Sequence, residues 1–177
     1  MKMSPWFTIV VLGVFSGLAF AGTVVVDFEG LTGTYEPIPD WYGGIAVWND
    51  WVTFDLTDPN YPPHSGIRRA YCFGNGTSIE FGTEYIFEGV WISGPAGPPE
   101  AKVYCDLYLD SLLVHTTDSI LPTTTSAWLE SGYNQPVSEV RIWHLVGASM
   151  YSMDDFTYST VAPIARTTWA AIKALIR

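Results

Sequence analysis

From Val24 to Tyr158 the apolar residues recur with period two or in short runs, and Gly, Pro, Asn and Asp punctuate them every several residues. Successive side chains of an extended chain point to opposite faces, so this spacing suits half-buried strands joined by turns and excludes a helical core. The spacing predicts strands at Val24–Phe28, Trp51–Leu56, Arg69–Phe73, Thr77–Phe81, Ile86–Ser93, Lys102–Leu109, Leu112–Thr117, Ala127–Glu130, Val137–Leu145 and Tyr151–Tyr158. Asp110-Ser111 joins two alternating runs as a two-residue hairpin would. About ten short strands without helical crossovers imply an all-β fold, an antiparallel two-sheet β-sandwich of jelly-roll type, with a closed barrel as the alternative.

The first 21 residues read as a signal peptide with a signal helix. Lys2 precedes the apolar run Phe7–Phe20, and Ala19 and Ala21 flank a cleavage point before Gly22. The expected location is therefore secreted or cell-surface, and the mature body, 22–160, has the size of one domain. Residues 22–162 carry 4 basic against 18 acidic side chains, a net charge of −14. Such a body repels the phosphate backbone, which excludes nucleic acid as a partner. Residues 161–177 form a basic tail in which Trp169, Ile172, Leu175 and Ile176 share one helical face, beside Lys173 and Arg177. A short amphipathic helix there is expected to contact a membrane surface, the secretion machinery or the body itself.

Cys72 and Cys105 stand in an exported chain, where oxidising conditions favour a disulfide, so a Cys72–Cys105 bridge is expected. The alternative is two buried thiols, since Cys105 alternates in phase with Val103, Leu107 and Leu109. Asn75-Gly-Thr77 reads either as a glycosylation acceptor or as an Asn-Gly hairpin turn.

No catalytic residue is assigned. His64, His115 and His144 are dispersed, and neither His-Glu-x-x-His nor Gly-x-Ser-x-Gly occurs. His64 and Ser65 are adjacent, and on an extended chain adjacent side chains diverge, so they are expected to cap a turn. Sugar binding asks only for flat aromatic faces beside hydrogen-bonding groups. Trp41, Tyr42, Trp48, Asn49, Asp50 and Trp51 supply both within one stretch and are the candidate ligand-binding residues for a carbohydrate or envelope polymer.

Val26-Asp-Phe-Glu29, Pro37-Ile-Pro-Asp-Trp-Tyr-Gly-Gly44, Pro63-His-Ser-Gly66, Trp128-Leu-Glu-Ser-Gly-Tyr133, Val137-Ser-Glu-Val140 and Met153-Asp-Asp-Phe-Thr-Tyr158 together carry a family likeness. The chain resembles bacterial and fungal secreted β-sandwich proteins, of the kind often found as PEP-CTERM sorting-domain proteins, and through them the galactose-binding-like and carbohydrate-binding jelly rolls. It departs from the PEP-CTERM pattern at Val161-Ala-Pro-Ile164, where Pro-Glu-Pro is missing. The resemblance implies a non-catalytic exported module and a candidate structural calcium between first and last strands, where Asp27, Glu29, Asp154 and Asp155 stand. The other readings are a structural or adhesive surface protein without a small ligand and a small glycan hydrolase.

Overall fold

The computed structural model describes residues 22–95, 101–145 and 150–161. The signal helix expected over 1–21 and the amphipathic helix expected over 161–177 lie outside these, apart from Val161. Ten strands occur in the order β1 (Thr23–Val26), β2 (Val47–Trp48), β3 (Trp51–Phe54), β4 (Arg69–Cys72), β5 (Thr77–Ser93), β6 (Val103–Leu109), β7 (Leu112–Thr116), β8 (Ala127–Glu130), β9 (Val137–His144) and β10 (Ser152–Thr160). A single 3-10 turn, Tyr42–Gly44, is the only helical element among the described residues. Every ladder is antiparallel, so the described body is nearly all β, as the alternation implies.

The pairings fall into two groups joined through β5. The first half of β5 pairs with β2 and β9, and β9 continues to β6 and β7. The second half pairs with β8 and β10, and β10 continues to β4, β3 and β1. The sequence divides this segment into two strands because Gly82-Thr-Glu84 has turn composition. The chain instead stays in one strand and shifts register between Glu80 and Tyr85, with Gly82 at φ +74°. A Cβ there would stand 2.7 Å from that of Ala46, so the bend depends on glycine.

One hydrophobic cluster draws on both groups. Phe28, Phe81, Phe87 and Phe156 lie at its centre with Ile79, Val140, Ile142, Cys105 and Leu107. Asp110 and Ser111 both take positive φ, which suits the two-residue turn between β6 and β7. Asn75-Gly76 is not a hairpin, because β4 pairs with β3 and β10 while β5 starts the other ladder; the turn carries the chain from one group to the other.

The expected Cys72–Cys105 disulfide is absent: both cysteines are free and buried. Cys72 faces Trp51 across the β3–β4 ladder and Cys105 faces Ile142 across β6–β9, so the two belong to different strand groups. The buried Tyr151 phenol sits beside both thiols and donates to the Ile142 carbonyl at 3.2 Å. Burial first of all pushes both thiols up, which is the behaviour of small apolar core residues.

Candidate functional site

The six aromatic-loop residues do not converge. Trp48 and Trp51 are 4% and 1% exposed and belong to the core. The Trp48 ring meets Phe28 and Phe156 edge-on, and its Nε1 donates to the Tyr42 carbonyl at 3.1 Å. Trp51 packs edge-on against Tyr151. Neither can offer a ring to a ligand, because strands β2 and β3 turn these positions inward. Tyr42 is half-buried, stacks over Phe28 at 6.2 Å, and has its phenol raised first by burial. Trp41 remains 68% exposed, at φ +65°. Asp50 occupies the β2–β3 turn at φ +58°. Asn49 hydrogen-bonds to β5, donating from Nδ2 to Ser78 Oγ at 2.7 Å and to Glu80 Oε1 at 2.9 Å.

The four carboxylates expected around calcium are engaged by backbone and side-chain donors instead. Asp27 Oδ1 accepts from the Glu29 amide at 3.1 Å. Glu29 Oε1 accepts from the amides of Ile67 and Arg68, both at 2.7 Å. Asp154 Oδ2 accepts from the amides of His64 and Ser65 at 2.8 and 2.9 Å. Asp155 accepts from His64 Nδ1 at 2.6 Å and from Ser65 Oγ at 3.0 Å. Among the described residues no group of three or more His, Cys, Asp or Glu side chains is placed to hold a cation. Glu29, Asp154 and Asp155 thus clasp residues 64–68 of the β3–β4 connection, which contains Pro59, Pro62 and Pro63, and Asp27 holds the Glu29 amide.

Consecutive aspartates normally face opposite ways. A register shift in β10 between Asp154 and Thr157, with Asp155 at φ +46°, turns both toward the same loop. Asp154 is raised to about 7, first by burial and against the pull of three backbone amides. The His64 ring lies flat on Trp91, centres 3.7 Å apart, and Ser65 Oγ is committed to Asp155 and not to the imidazole. A nucleophile–base pair is thus not formed at this position.

The side chains that do assemble stand on the outer face of β5, β9, β6 and β7. Inward positions of these strands, Ile79, Val140, Ile142, Val103, Cys105 and Leu107, fill the core. The alternate positions must then face out. Register aligns Ser78 with Arg141, Arg141 with Asp106, and Asp106 with Thr116. With Asn49, just past β2, bonded to Ser78, a polar row crosses the four strands β5, β9, β6 and β7. Thr116 Oγ1 donates to Asp106 Oδ1 at 2.6 Å.

Aromatic rings flank the row. Tyr104 and Trp143 are directly opposed on β6 and β9, and Tyr108 stands opposite Glu139. Arg141 Nε donates to Glu139 Oε1 at 2.5 Å, and the guanidinium lies 4.4 Å over the Tyr108 ring. The Glu139 hydrogen bond raises Arg141 above its usual range, so it stays charged. Tyr104, Tyr108, Trp143 and Arg141 are each partly open to solvent. A groove of about 640 Å³ adjoins this face, lined by Glu80, Glu84, Asp110 and Glu139 among others.

The sequence carries a signal for this face. Placing Cys105 in phase with Val103 and Leu107 implies that Tyr104, Asp106 and Tyr108 form the opposite face. What the sequence lacks is the register that sets them beside Arg141, Trp143 and Ser78.

No protein-family model matches the chain, and no curated protein matches it. Among solved structures it is similar to the N-terminal CBM22-1-CBM22-2 tandem domain from Paenibacillus barcinonensis Xyn10C, with a TM-score of 0.49 and 13% identity. The match covers 85% of this chain and 50% of that one, so the chain spans half of that structure. A likeness at this level carries no argument about what this chain binds.

Proposed function

We propose that the protein is an exported, non-catalytic jelly-roll β-sandwich module that binds carbohydrate, or an envelope polymer containing it, through the outer face of β5, β9, β6 and β7. The observation that carries this reading is the cross-strand pair Tyr104–Trp143, standing beside the hydrogen-bonding row Ser78–Arg141–Asp106–Thr116. Sugar rings present apolar C–H faces and a rim of hydroxyls. An aromatic surface satisfies the first, and fixed amide, guanidinium, carboxylate and hydroxyl groups satisfy the second.

Rigidity favours the same reading. Trp143 stacks where Gly76 leaves no Cβ, and Arg141 is held by Glu139 and Tyr108, so less side-chain freedom is lost on binding. Gly22, the residue after the expected cleavage point, exchanges hydrogen bonds with Thr160, its amide to Oγ1 at 3.0 Å and its carbonyl from the Thr160 amide at 3.1 Å, which suits a mature chain that starts there.

Affinity electrophoresis of the full chain through gels containing neutral polysaccharides tests the function. Retardation of the wild type and free migration of a Tyr104→Ala, Trp143→Ala double variant are expected. Equal migration of both in every polysaccharide would instead favour an adhesive or structural role. For export, N-terminal sequencing of secreted protein should begin at Gly22.

A further inference from the structure

Resting on the carbohydrate reading above, we infer that the ligand is an uncharged, extended glycan chain lying across the strands and held along an internal stretch rather than by its end. Three features of the face point that way.

Length comes first. The polar row runs from Asn49, beside β5, to Thr116 on β7, with one group contributed at each strand. Neighbouring strands lie about 4.8 Å apart, so the three intervals from Ser78 to Thr116 span about 14 Å, and Asn49, whose amide donates to the Ser78 carbonyl at 3.1 Å, carries the row further. One sugar ring fills only a fraction of that distance, so several consecutive rings are needed to use the whole row.

Shape is the second feature. The row has aromatic groups on both sides, Tyr104 with Trp143 on one and Tyr108 on the other. This makes a channel with a polar floor whose end residues, Asn49 and Thr116, are both at least partly open to solvent among the described residues. Sites that select chain ends enclose the terminal ring, whereas an open channel lets a polymer continue past both edges.

Charge is the third. Glu80, Asp106 and Glu139 stand on or beside the row with one cation, Arg141. That cation already gives two hydrogen bonds to Glu139, from Nε at 2.5 Å and from Nη2 at 3.3 Å. Recognition of carboxylate or sulfate groups needs an unengaged guanidinium or ammonium group, and an anionic polymer would meet net negative charge. Uncharged hydroxyls can both donate to these carboxylates and accept from the N–H groups of Arg141 that Glu139 leaves free.

Calorimetric titration of the full chain tests the inference, using linear gluco-, manno-, xylo- and galacto-oligosaccharides from disaccharide to hexasaccharide. Oligogalacturonides of the same lengths form the anionic arm, and reducing-end alditols of the neutral series form the chain-end arm. At least one neutral series should bind, with affinity rising about tenfold or more from disaccharide to hexasaccharide. Its alditols should bind as well as the parent sugars, and the oligogalacturonides should not bind. Length-independent affinity, tighter binding of oligogalacturonides, or loss of binding on reduction would overturn the inference while leaving a glycan site on this face. Failure of every neutral series, or binding undiminished in the Tyr104→Ala, Trp143→Ala variant, would overturn the underlying reading as well.

Discussion

The Arg141 guanidinium lies 4.4 Å over the Tyr108 ring and is gripped from its own strand by Glu139, two residues earlier. The three groups occupy one outer face because positions 139 and 141 alternate with the buried Val140 and Ile142, while register brings Tyr108 opposite Glu139. Ion pairs this close to solvent contribute little to stability, about 0.2–1 kcal/mol. We predict that Arg141→Met lowers unfolding free energy by less than about 1 kcal/mol in urea melts but weakens polysaccharide retention severalfold. Retention equal to the wild type would remove Arg141 from the site.

Gly76 packs against Trp143 on the same face. Its φ is +76°, and a Cβ there would fall 2.3 Å from the Trp143 ring. Strain at such a position is on the order of 1–3 kcal/mol. Gly76→Ala should therefore lower the melting temperature and weaken glycan binding together, because Trp143 must move. A variant with a lower melting temperature and intact binding would show that the orientation of Trp143 is immaterial.

The thiols give a third prediction. Cys105 is fully buried and Cys72 nearly so, and burial disfavours the reactive thiolate in both. In native protein both should resist a thiol reagent for hours, both should react once urea is added, and a reductant should leave the melting curve unchanged. A Cys72–Cys105 peptide in non-reducing maps of secreted protein would contradict the structure.

Much of this architecture is legible in the alternation of apolar residues. The Ala127–Glu130 strand appears at its expected limits, and the Asp110-Ser111 hairpin forms where its spacing places it. Departures occur where backbone geometry overrides composition. Gly82 bends β5 without ending it, and the two-residue β2 is too short to carry a period. Trp48 and Trp51 show why the proposed face was not legible. An aromatic-rich stretch looks like a binding loop until the strands on either side fix which rings turn inward. Asp154 and Asp155 make the same point for charge: only the β10 irregularity reveals that both clasp residues 64 and 65.

Asp154 also sets a pH dependence. Its carboxyl is 3% exposed and rises from 3.8 to about 7, chiefly through burial. The folded state therefore binds more protons than the unfolded chain between those values. Its contribution to stability is greatest at the acid end and falls as pH rises toward about 7, at up to about 1.4 kcal/mol per pH unit. Asp154→Asn keeps an oxygen for the His64 and Ser65 amides and removes the charge. Above pH 7 the variant should be at least as stable as wild type, and its melting temperature should fall less between pH 4 and 7. Parallel curves for the two proteins would place Asp154 among ordinary carboxylates.

The proposed glycan site is the outer face of β5, β9, β6 and β7 rather than the Trp41 loop. Trp41 is the exposed ring of the loop, and Tyr104 with Trp143 is the opposed pair of the face. Fluorescently labelled wild type, Trp41→Ala and Tyr104→Ala, Trp143→Ala proteins on one glycan array compare the two directly. Wild type and Trp41→Ala should bind the same glycans with similar intensity, and the double variant should lose them while keeping a cooperative melt. Binding lost in Trp41→Ala and kept in the double variant would contradict the account and return the site to the loop.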